Sequence, residues 1–203
     1  MNTPASPSTV ALLGTGRMGL PMATRLCQAG FTVHAWNRNR AKAEPLAALG
    51  AQVHDHATEA VRGADIVISM LENGPVVEQV LFGLGTAQAM KPGALVVDMA
   101  SIKPAEARDH AARLQAMGLR HVDAPVSGGT VAAEAGTMAI MAGGEAADLA
   151  QALPVLQHLG TTTHVGPHGA GQLAKLANQM IVGISIGAVS EALLMCAKGG
   201  ADM

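Results

Sequence analysis

Short continuous apolar runs alternate along the chain with longer segments in which apolar and polar positions are mixed. The runs at 9–13 (TVALL), 65–70 (DIVISM) and 94–98 (ALVVD) have few polar positions, as is typical of strands that are buried on both faces. Extending this criterion, we predict strands at 9–13, 31–36, 65–70, 94–98, 120–123, 137–141 and 161–165. The mixed segments often end at a glycine, a common helix terminus, and predict helices at 21–29, 41–49, 104–117 and 146–158.

This order of elements indicates the fold class. Strands separated by helices imply βαβ units, so we predict an α/β fold with a doubly wound, mainly parallel sheet. The segment 171–198 differs because it holds no obvious helix breaker, and it predicts one helix of about 28 residues, or about 42 Å. We interpret it as the start of an all-α second domain, with a dinucleotide-binding domain at 1–167 and the helical domain at 168–203. Polar residues such as Asn178 and Glu191 inside it argue against a membrane span.

Composition excludes several functional classes. Binders of single-stranded nucleic acid need aromatic platforms and basic grooves, whereas this chain has one Trp, two Phe, no Tyr and a formal net charge of −2. Two cysteines do not make a disulfide scaffold, and 49% hydrophobic residues with 14% charged do not fit a disordered chain. The first nine residues lack the basic start of a signal peptide. We therefore expect a soluble cytoplasmic protein with no nucleic-acid or membrane partner.

A glycine motif lies between the first predicted strand and the first predicted helix. The pattern G-x-G-x-x-G is weak alone, but in this position it is typical of a dinucleotide-binding Rossmann fold. The first glycine allows a tight turn, the second lets the backbone approach a pyrophosphate, and the third permits close packing of helix on strand. The free N–H groups of the helix then bind the phosphates. The predicted cofactor contacts here are Gly14, Thr15, Gly16, Arg17, Met18 and Gly19.

The end of the second strand indicates which nicotinamide cofactor is used. NAD sites usually place Asp or Glu there for the ribose hydroxyls, but this chain has Asn37 and Arg38. A guanidinium suits a 2′-phosphate by charge and geometry. We therefore predict that NADP(H) is preferred and that NAD(H) is possible, the alternative being that Arg38 is an ordinary solvated surface charge.

Lys175 is one of few lysines and interrupts the long apolar helix. Asn178 and Gln179 follow at i+3 and i+4 and share its helix face, and a partly desolvated lysine suits proton donation. A snorkelling surface lysine is the alternative. Separately, the loop Ser127-Gly128-Gly129 offers backbone N–H groups and a hydroxyl for a carboxylate, although Ser127 could equally be a helix cap.

Four ordered segments together resemble the β-hydroxyacid dehydrogenase family. They are 12–38 (LLGTGRMGLPMATRLCQAGFTVHAWNR), 97–104 (VDMASIKP), 123–129 (DAPVSGG) and 169–179 (GAGQLAKLANQ). The resemblance implies a Rossmann-type fold and makes Lys175 the catalytic residue. It assigns substrate binding to Ser127, Gly128, Gly129, Asn178 and Gln179, and it adds Met70, Leu71, Glu72 and Ser101 to the cofactor contacts. Two positions depart from the family pattern, since Leu71-Glu72 stands where Leu-Pro is usual and Ala100 where Ser is common.

The resemblance also implies a reaction and partners. It implies reversible hydride transfer between NADP(H) and a small 3-hydroxy acid or semialdehyde that bears a carboxylate. The first candidate substrate is tartronate semialdehyde. The 3-hydroxyisobutyrate, glyoxylate and succinic semialdehyde pairs are alternatives, and a non-catalytic NADP-binding module is an alternative of another class. Imine reductases share the glycine motif and fold, but they usually lack the lysine. We expect a homo-oligomer, either a dimer or a tetramer, and a chain that is incomplete relative to the family. We expect no metal, because no ligand spacing is evident.

Overall fold

The computed structural model describes residues 9–202, so the predictions for the first eight residues and for Met203 lie outside the described residues. The strands are β1 Thr9–Leu13, β2 Thr32–Trp36, β3 Gln52–Val53, β4 Ile66–Ser69, β5 Leu95–Asp98, β6 Arg120–Asp123, β7 Val126–Ser127, β8 Met138–Gly144 and β9 Gly160–Gly166. The α-helices are α1 Gly19–Gln28, α2 Ala57–Ala60, α3 Gly74–Glu78, α4 Pro104–Ala116, α5 Gly129–Ala135, α6 Ala146–Leu156 and α7 Ala170–Lys198. Short 3-10 or π turns lie at Arg40–Lys42, Glu44–Leu49, Gln79–Gly83 and Ala87–Ala89.

The strands form one mostly parallel sheet. Its order is β3-β2-β1-β4-β5-β6-β8-β7, with β9 paired to β8. From β3 to β6 every pairing is parallel, and the order 3-2-1-4-5-6 is that of the Rossmann fold. Strand β8 then runs antiparallel to β6 and β7 and parallel to β9. The predicted fold class is confirmed.

Both faces of the central strands β1, β4 and β5 are buried, which explains the continuous apolar runs. In β1, Leu12 packs into a cluster on one face with α1, while Leu13 packs into the cluster on the other face. Alternate side chains point to opposite faces of a strand, so a strand that is covered on both sides has few polar positions. The helices above and below the sheet supply these two layers and leave the carboxyl ends of the parallel strands at one edge.

The predicted helix at 41–49 is wrong. The chain there forms two 3-10 turns, Arg40–Lys42 and Glu44–Leu49, because Pro45 has no N–H for the bond to residue 41 that an α-helix requires. The short strands β3 and β7 and the helices α2, α3 and α5 were not predicted. Each spans at most seven residues, too few to show a clear hydrophobic period.

Helix α7 is confirmed as one long helix and is largely exposed. Only Gly171, Gln172 and Lys175, all near its start, are buried. It is long and apolar enough to cross a membrane by length and composition alone, with a mean hydropathy of 2.0 in its most apolar window, none of which is buried. The domain division at residue 167, the homo-oligomer and the absence of a membrane partner stay predictions.

Candidate functional site

A cavity of about 720 Å³ opens where the carboxyl ends of β1, β2 and β4 meet the N-terminus of α1. Ligands of doubly wound sheets bind at this edge, where the strand order reverses. Ten of the twelve predicted cofactor contacts line the cavity: Gly14, Gly16, Arg17, Met18, Gly19, Asn37, Arg38, Met70, Leu71 and Glu72. The structure therefore brings together residues from three separate parts of the sequence.

Each of the three glycines in the turn is required for a different steric reason. Gly14 has φ +101°, and a Cβ there would lie 2.4 Å from the carbonyl oxygen of Met70. A Cβ on Gly19 would lie 1.8 Å from the carbonyl oxygen of Gly14, so helix α1 could not pack against the turn. A Cβ on Gly16 would meet no atom of the described residues within 4 Å. Gly16 thus faces open space, which fits a position kept bare for a ligand rather than for packing.

The start of α1 can bind an anion. Its N-cap residue, Met18, supplies no capping side chain, and the first turn contains no acidic residue. Helix N-termini carry unpaired N–H groups and a partial positive charge that favour phosphate. Because these groups lie beside the open space at Gly16, the residues present fit the pyrophosphate of a dinucleotide.

Two predicted cofactor contacts lie outside the lining of the cavity. Thr15 is buried, its backbone N–H donates to Oδ1 of Asn37 at 3.1 Å, and its hydroxyl has no partner among the described residues. Thr15 therefore fixes the distance between the glycine turn and the end of β2. Ser101 is exposed in the loop after β5. Because β5 is the strand beside β4, Ser101 lies further along the same sheet edge.

Three basic side chains of the lining are available for a phosphate. The side chains of Arg17, Arg38 and Lys42 are exposed at the cavity and form no ion pair or hydrogen bond with the part of the chain that is described. The neighbouring Arg40, by contrast, binds Glu44 at 2.6 Å and Asp55 at 2.9 Å. Of the arginines that follow β2, Arg38 is thus the one left free to bind a ligand.

Sequence reasoning missed several residues of the lining. Residues 73–76 begin α3, where Oδ1 of Asn73 accepts the N–H of Val76 at 3.0 Å and Pro75 occupies the first turn. That Asn–Pro spacing is a helix-start signal and could have placed α3 beside the cavity. The missed lining residues are Trp36, Asn39, Lys42, Pro75, Val76, Gln79, Val80 and Leu84.

Lys175 lies buried near the start of α7, with 9% of its surface exposed. Its Nζ donates to Oε1 of Gln179 at 3.2 Å, and one turn away Nδ2 of Asn178 donates to the hydroxyl of Ser127 at 3.3 Å. Burial lowers the pKa of the Lys175 ammonium below its ordinary value. The structure thus connects three predicted substrate residues, and the alternative of a surface lysine does not fit this burial.

The other two predicted substrate residues follow Ser127 directly. Gly128 has φ +127°, and a Cβ there would lie 2.4 Å from the Cβ of Ala132. Gly129 has φ +66° and begins α5. Ser127 makes no capping bond to this helix, because the N-cap residue is Gly128 and has no side chain. Its hydroxyl instead contacts Asn178 of α7.

The start of α7 is held by two buried polar side chains. Asp123, at the end of β6, accepts the N–H of Gly169 at 2.7 Å and the N–H of Gln172 at 3.0 Å. The Gln172 amide donates to the carbonyl of Ala100 at 2.8 Å and accepts the N–H of Ile102 at 3.0 Å. These bonds connect the loop that holds Ser101 to the helix turn just before Lys175.

We expect Gln172→Leu to destabilise the fold strongly. Leucine would leave the N–H of Ile102 and the carbonyl of Ala100 buried without partners, at about 2–4 kcal/mol for the pair. Urea unfolding measures this loss. The control Gln157→Leu removes an exposed amide at the end of α6 and should change stability by less than about 0.5 kcal/mol. Equal effects of the two substitutions would contradict the role of Gln172.

Asp98 is a buried carboxyl group at the same sheet edge. It accepts the hydroxyl of Ser69 at 2.8 Å and the N–H of Ala100 at 3.1 Å on one oxygen, while the other oxygen has no partner among the described residues. Burial raises the pKa of Asp98 to about 7, against the lowering effect of these hydrogen bonds. The edge therefore holds a carboxyl group that keeps its proton to a higher pH than an ordinary aspartic acid does.

The sheet order, the glycine turn and the cavity at the strand ends define a Rossmann-type dinucleotide-binding protein. Two family profiles match the chain. The NAD-binding domain of 6-phosphogluconate dehydrogenase matches residues 9–166, and the NAD-binding segment of NADP-dependent 3-hydroxyisobutyrate dehydrogenase matches residues 169–203.

Curated relatives and solved structures agree with these matches. The chain is 42% identical to 2-hydroxy-3-oxopropionate reductase of Escherichia coli, covering 95% of this chain and 66% of that protein. It is also 42% identical to 3-hydroxyisobutyrate dehydrogenase of Pseudomonas aeruginosa, covering 95% of this chain and 65% of that protein. The structure of 3-hydroxyisobutyrate dehydrogenase of Mycobacterium tuberculosis with L-serine superposes with a TM-score of 0.91 at 38% identity, covering 97% of this chain and 67% of that one.

An imine reductase variant of Myxococcus stipitatus in complex with NAD⁺ has nearly the same fold, with a TM-score of 0.90, but only 27% identity over 98% of this chain and 68% of that one. The chain belongs to the β-hydroxyacid dehydrogenase family of NAD-binding oxidoreductases. It spans about two thirds of the length of the curated relatives above.

Proposed function

We propose that this protein is an NADP(H)-dependent oxidoreductase that transfers hydride between the nicotinamide and a small 3-hydroxy acid or semialdehyde, with tartronate semialdehyde as the first candidate substrate. The observation that carries the reaction class is Lys175, a buried lysine beside two amides and a serine. The substrate assignment is supported by the relative named 2-hydroxy-3-oxopropionate reductase.

Different residues along the sheet edge would bind the cofactor and the substrate. The start of α1 and the turn at Gly16 would hold the pyrophosphate, and Ser101 lies on the side expected for the nicotinamide. When bound, the dinucleotide supplies or accepts the hydride. Ser127 and Asn178 can donate hydrogen bonds to a substrate carboxylate, which orients the carbonyl carbon.

Lys175 has the chemistry needed for the accompanying proton. In the reducing direction, negative charge develops on the carbonyl oxygen, and the Nζ ammonium donates a proton to it. Burial lowers the pKa of Lys175, which weakens its hold on that proton and favours the transfer. In the oxidising direction, the neutral amine takes the hydroxyl proton back.

The reaction is tested by consumption of NADPH with four aldehydes: tartronate semialdehyde, methylmalonate semialdehyde, succinic semialdehyde and glyoxylate. We expect turnover of at least one, with tartronate semialdehyde giving the highest kcat/KM. Binding of NADPH with no turnover of any of the four would contradict the catalytic role and favour a non-catalytic module.

Preference for NADP(H) depends on Arg38. Because the guanidinium is exposed at the cavity and unpaired within the described chain, we expect Arg38→Ala to weaken NADPH binding by about tenfold, or about 1.4 kcal/mol, and to leave NADH binding unchanged. Titration of both cofactors measures this difference.

The control for this prediction is Arg40→Ala, which removes a guanidinium that already pairs with Glu44 and Asp55. It should leave the ratio of the two affinities unchanged. A wild-type chain that binds NADH more tightly than NADPH would overturn the proposed preference.

A further inference from the structure

Three metal-binding side chains converge beneath the start of α7. His121 and Asp123 lie two residues apart on β6, and alternate residues of a strand share a face. His168 lies in the turn before α7. One ligand atom of each lies within 4.8 Å of the other two. No local ligand spacing marks this group in the sequence, because His121 and His168 are 47 positions apart.

The imidazole of His121 is unexplained by the fold. The residue is 2% exposed, and neither ring nitrogen has a partner among the described residues. Nδ1 of His168 is also buried without a partner in that part of the chain. Buried polar groups are almost always paired, so these ring nitrogens are free to accept a ligand.

The two imidazoles are close enough to share one ligand. A ring nitrogen of each lies within 4.8 Å of the other and of a carboxylate oxygen of Asp123. The two imidazoles lie with ring centroids 5.6 Å apart.

Asp123 supplies the oxygen ligand. Its two oxygens accept the N–H groups of Gly169 and Gln172, and an ionised carboxylate has about four lone-pair sites, so each oxygen can still bind a cation. These bonds also hold the carboxylate in a fixed orientation, as partners of metal ligands usually do.

We propose that His121, Asp123 and His168 bind a divalent transition metal ion of the zinc class, which links β6 to the turn before α7. Two imidazoles and one carboxylate are a common set of three protein ligands, with the fourth position open to water. Tetrahedral zinc with such ligands requires separations of about 3.4 Å. Because the ligand atoms lie within 4.8 Å of one another, the group has to close by at most about 1.4 Å.

His168 can make this adjustment. It lies between Gly166 and Gly169, which have φ +137° and +85°, and it is partly exposed, which provides a path for the ion. The proposal does not rest on the proposed reaction, because metal binding is measured without cofactor or substrate.

The test is a titration of the tag-free, chelator-treated protein with Zn²⁺ by calorimetry and with Co²⁺ by absorption spectroscopy. We expect one equivalent of each ion to bind, with the intense visible bands of tetrahedral cobalt. His168→Ala should weaken Zn²⁺ binding by about tenfold or more, and His121→Phe should do the same. His56→Ala removes an exposed imidazole outside the group and should change nothing.

The absence of saturable binding in the wild-type protein would overturn the proposal. Binding that survives His168→Ala unchanged would also overturn it. So would equal losses in His168→Ala and His56→Ala, which indicate unspecific binding to surface histidines. Because His121 is buried and His121→Phe could impair folding, a thermal melt accompanies each variant, and His168→Ala decides the result if His121→Phe does not fold.

Discussion

Lys175→Ala should lower kcat for semialdehyde reduction by about a thousandfold, within the range of 10²–10⁴ that general acids contribute, and leave the affinity for NADPH nearly unchanged. The two effects differ because the Lys175 side chain lies away from the dinucleotide cavity. Nζ of Lys175 bonds to Gln179 and not to any residue that lines the dinucleotide cavity. Steady-state kinetics together with a separate NADPH titration measure the two effects.

The matched control is Lys198→Ala, which removes a lysine from the exposed last turn of the same helix. It should leave kcat within about twofold of wild type, because surface substitutions rarely matter. A near-normal kcat in Lys175→Ala would refute the assignment of Lys175 as the proton donor.

The pH dependence follows from the same lysine. Because burial lowers the pKa of Lys175, the ammonium loses its proton at a lower pH than an ordinary lysine does. The rate of reduction should therefore fall as pH rises through this lowered pKa, with a midpoint below about 10.4. The oxidising direction needs the neutral amine and should show the opposite trend.

Gly16→Ala should weaken NADPH binding, whereas Gly19→Ala should destabilise the fold. A Cβ on Gly16 meets no atom of the described residues within 4 Å, so we expect stability to change by less than about 1 kcal/mol. That open space is where we place the pyrophosphate, so NADPH should bind at least about tenfold more weakly. A Cβ on Gly19 would lie 1.8 Å from the carbonyl oxygen of Gly14, and we expect about 3 kcal/mol of destabilisation.

Thermal or urea unfolding separates the two variants, and NADPH titration follows for any variant that folds. Gly30→Ala is not a suitable control, because Gly30 has φ +87° and alanine would be strained there. Ala29→Ser, after the last turn of α1, is the better control and should leave both quantities unchanged. Normal NADPH affinity in Gly16→Ala would contradict the placement of the pyrophosphate.

Local signals predicted much of the cofactor site. The glycine turn and Arg38 lie directly at the ends of strands that the apolar runs had marked, whereas the contacts after β4 were assigned only through the resemblance to the family. In a parallel sheet with right-handed crossovers these ends necessarily meet at one edge. The position of Lys175 was predictable for a different reason, because a charged residue within an apolar helix is conspicuous.

The sequence could not show how the start of α7 is held. Gln172 binds residues 70 and 72 positions away, and Asp123 binds residues 46 and 49 positions away. Such contacts depend on the exact packing of α7 on the sheet, which leaves no periodic pattern. The grouping of His121 with His168 is hidden for the same reason. Short elements such as α3 were missed because they hold too few residues for a hydrophobic period.

The central claim is that the cavity at the strand ends binds NADP(H), and fluorescence of Trp36 tests it most directly. Trp36 is the only tryptophan in the chain, lies 6% exposed, and lines the cavity. Titration with NADPH should quench its emission by energy transfer to the reduced nicotinamide, saturating at one equivalent, and NADH should need about tenfold higher concentrations. Emission that neither cofactor quenches in a saturable way would contradict the account.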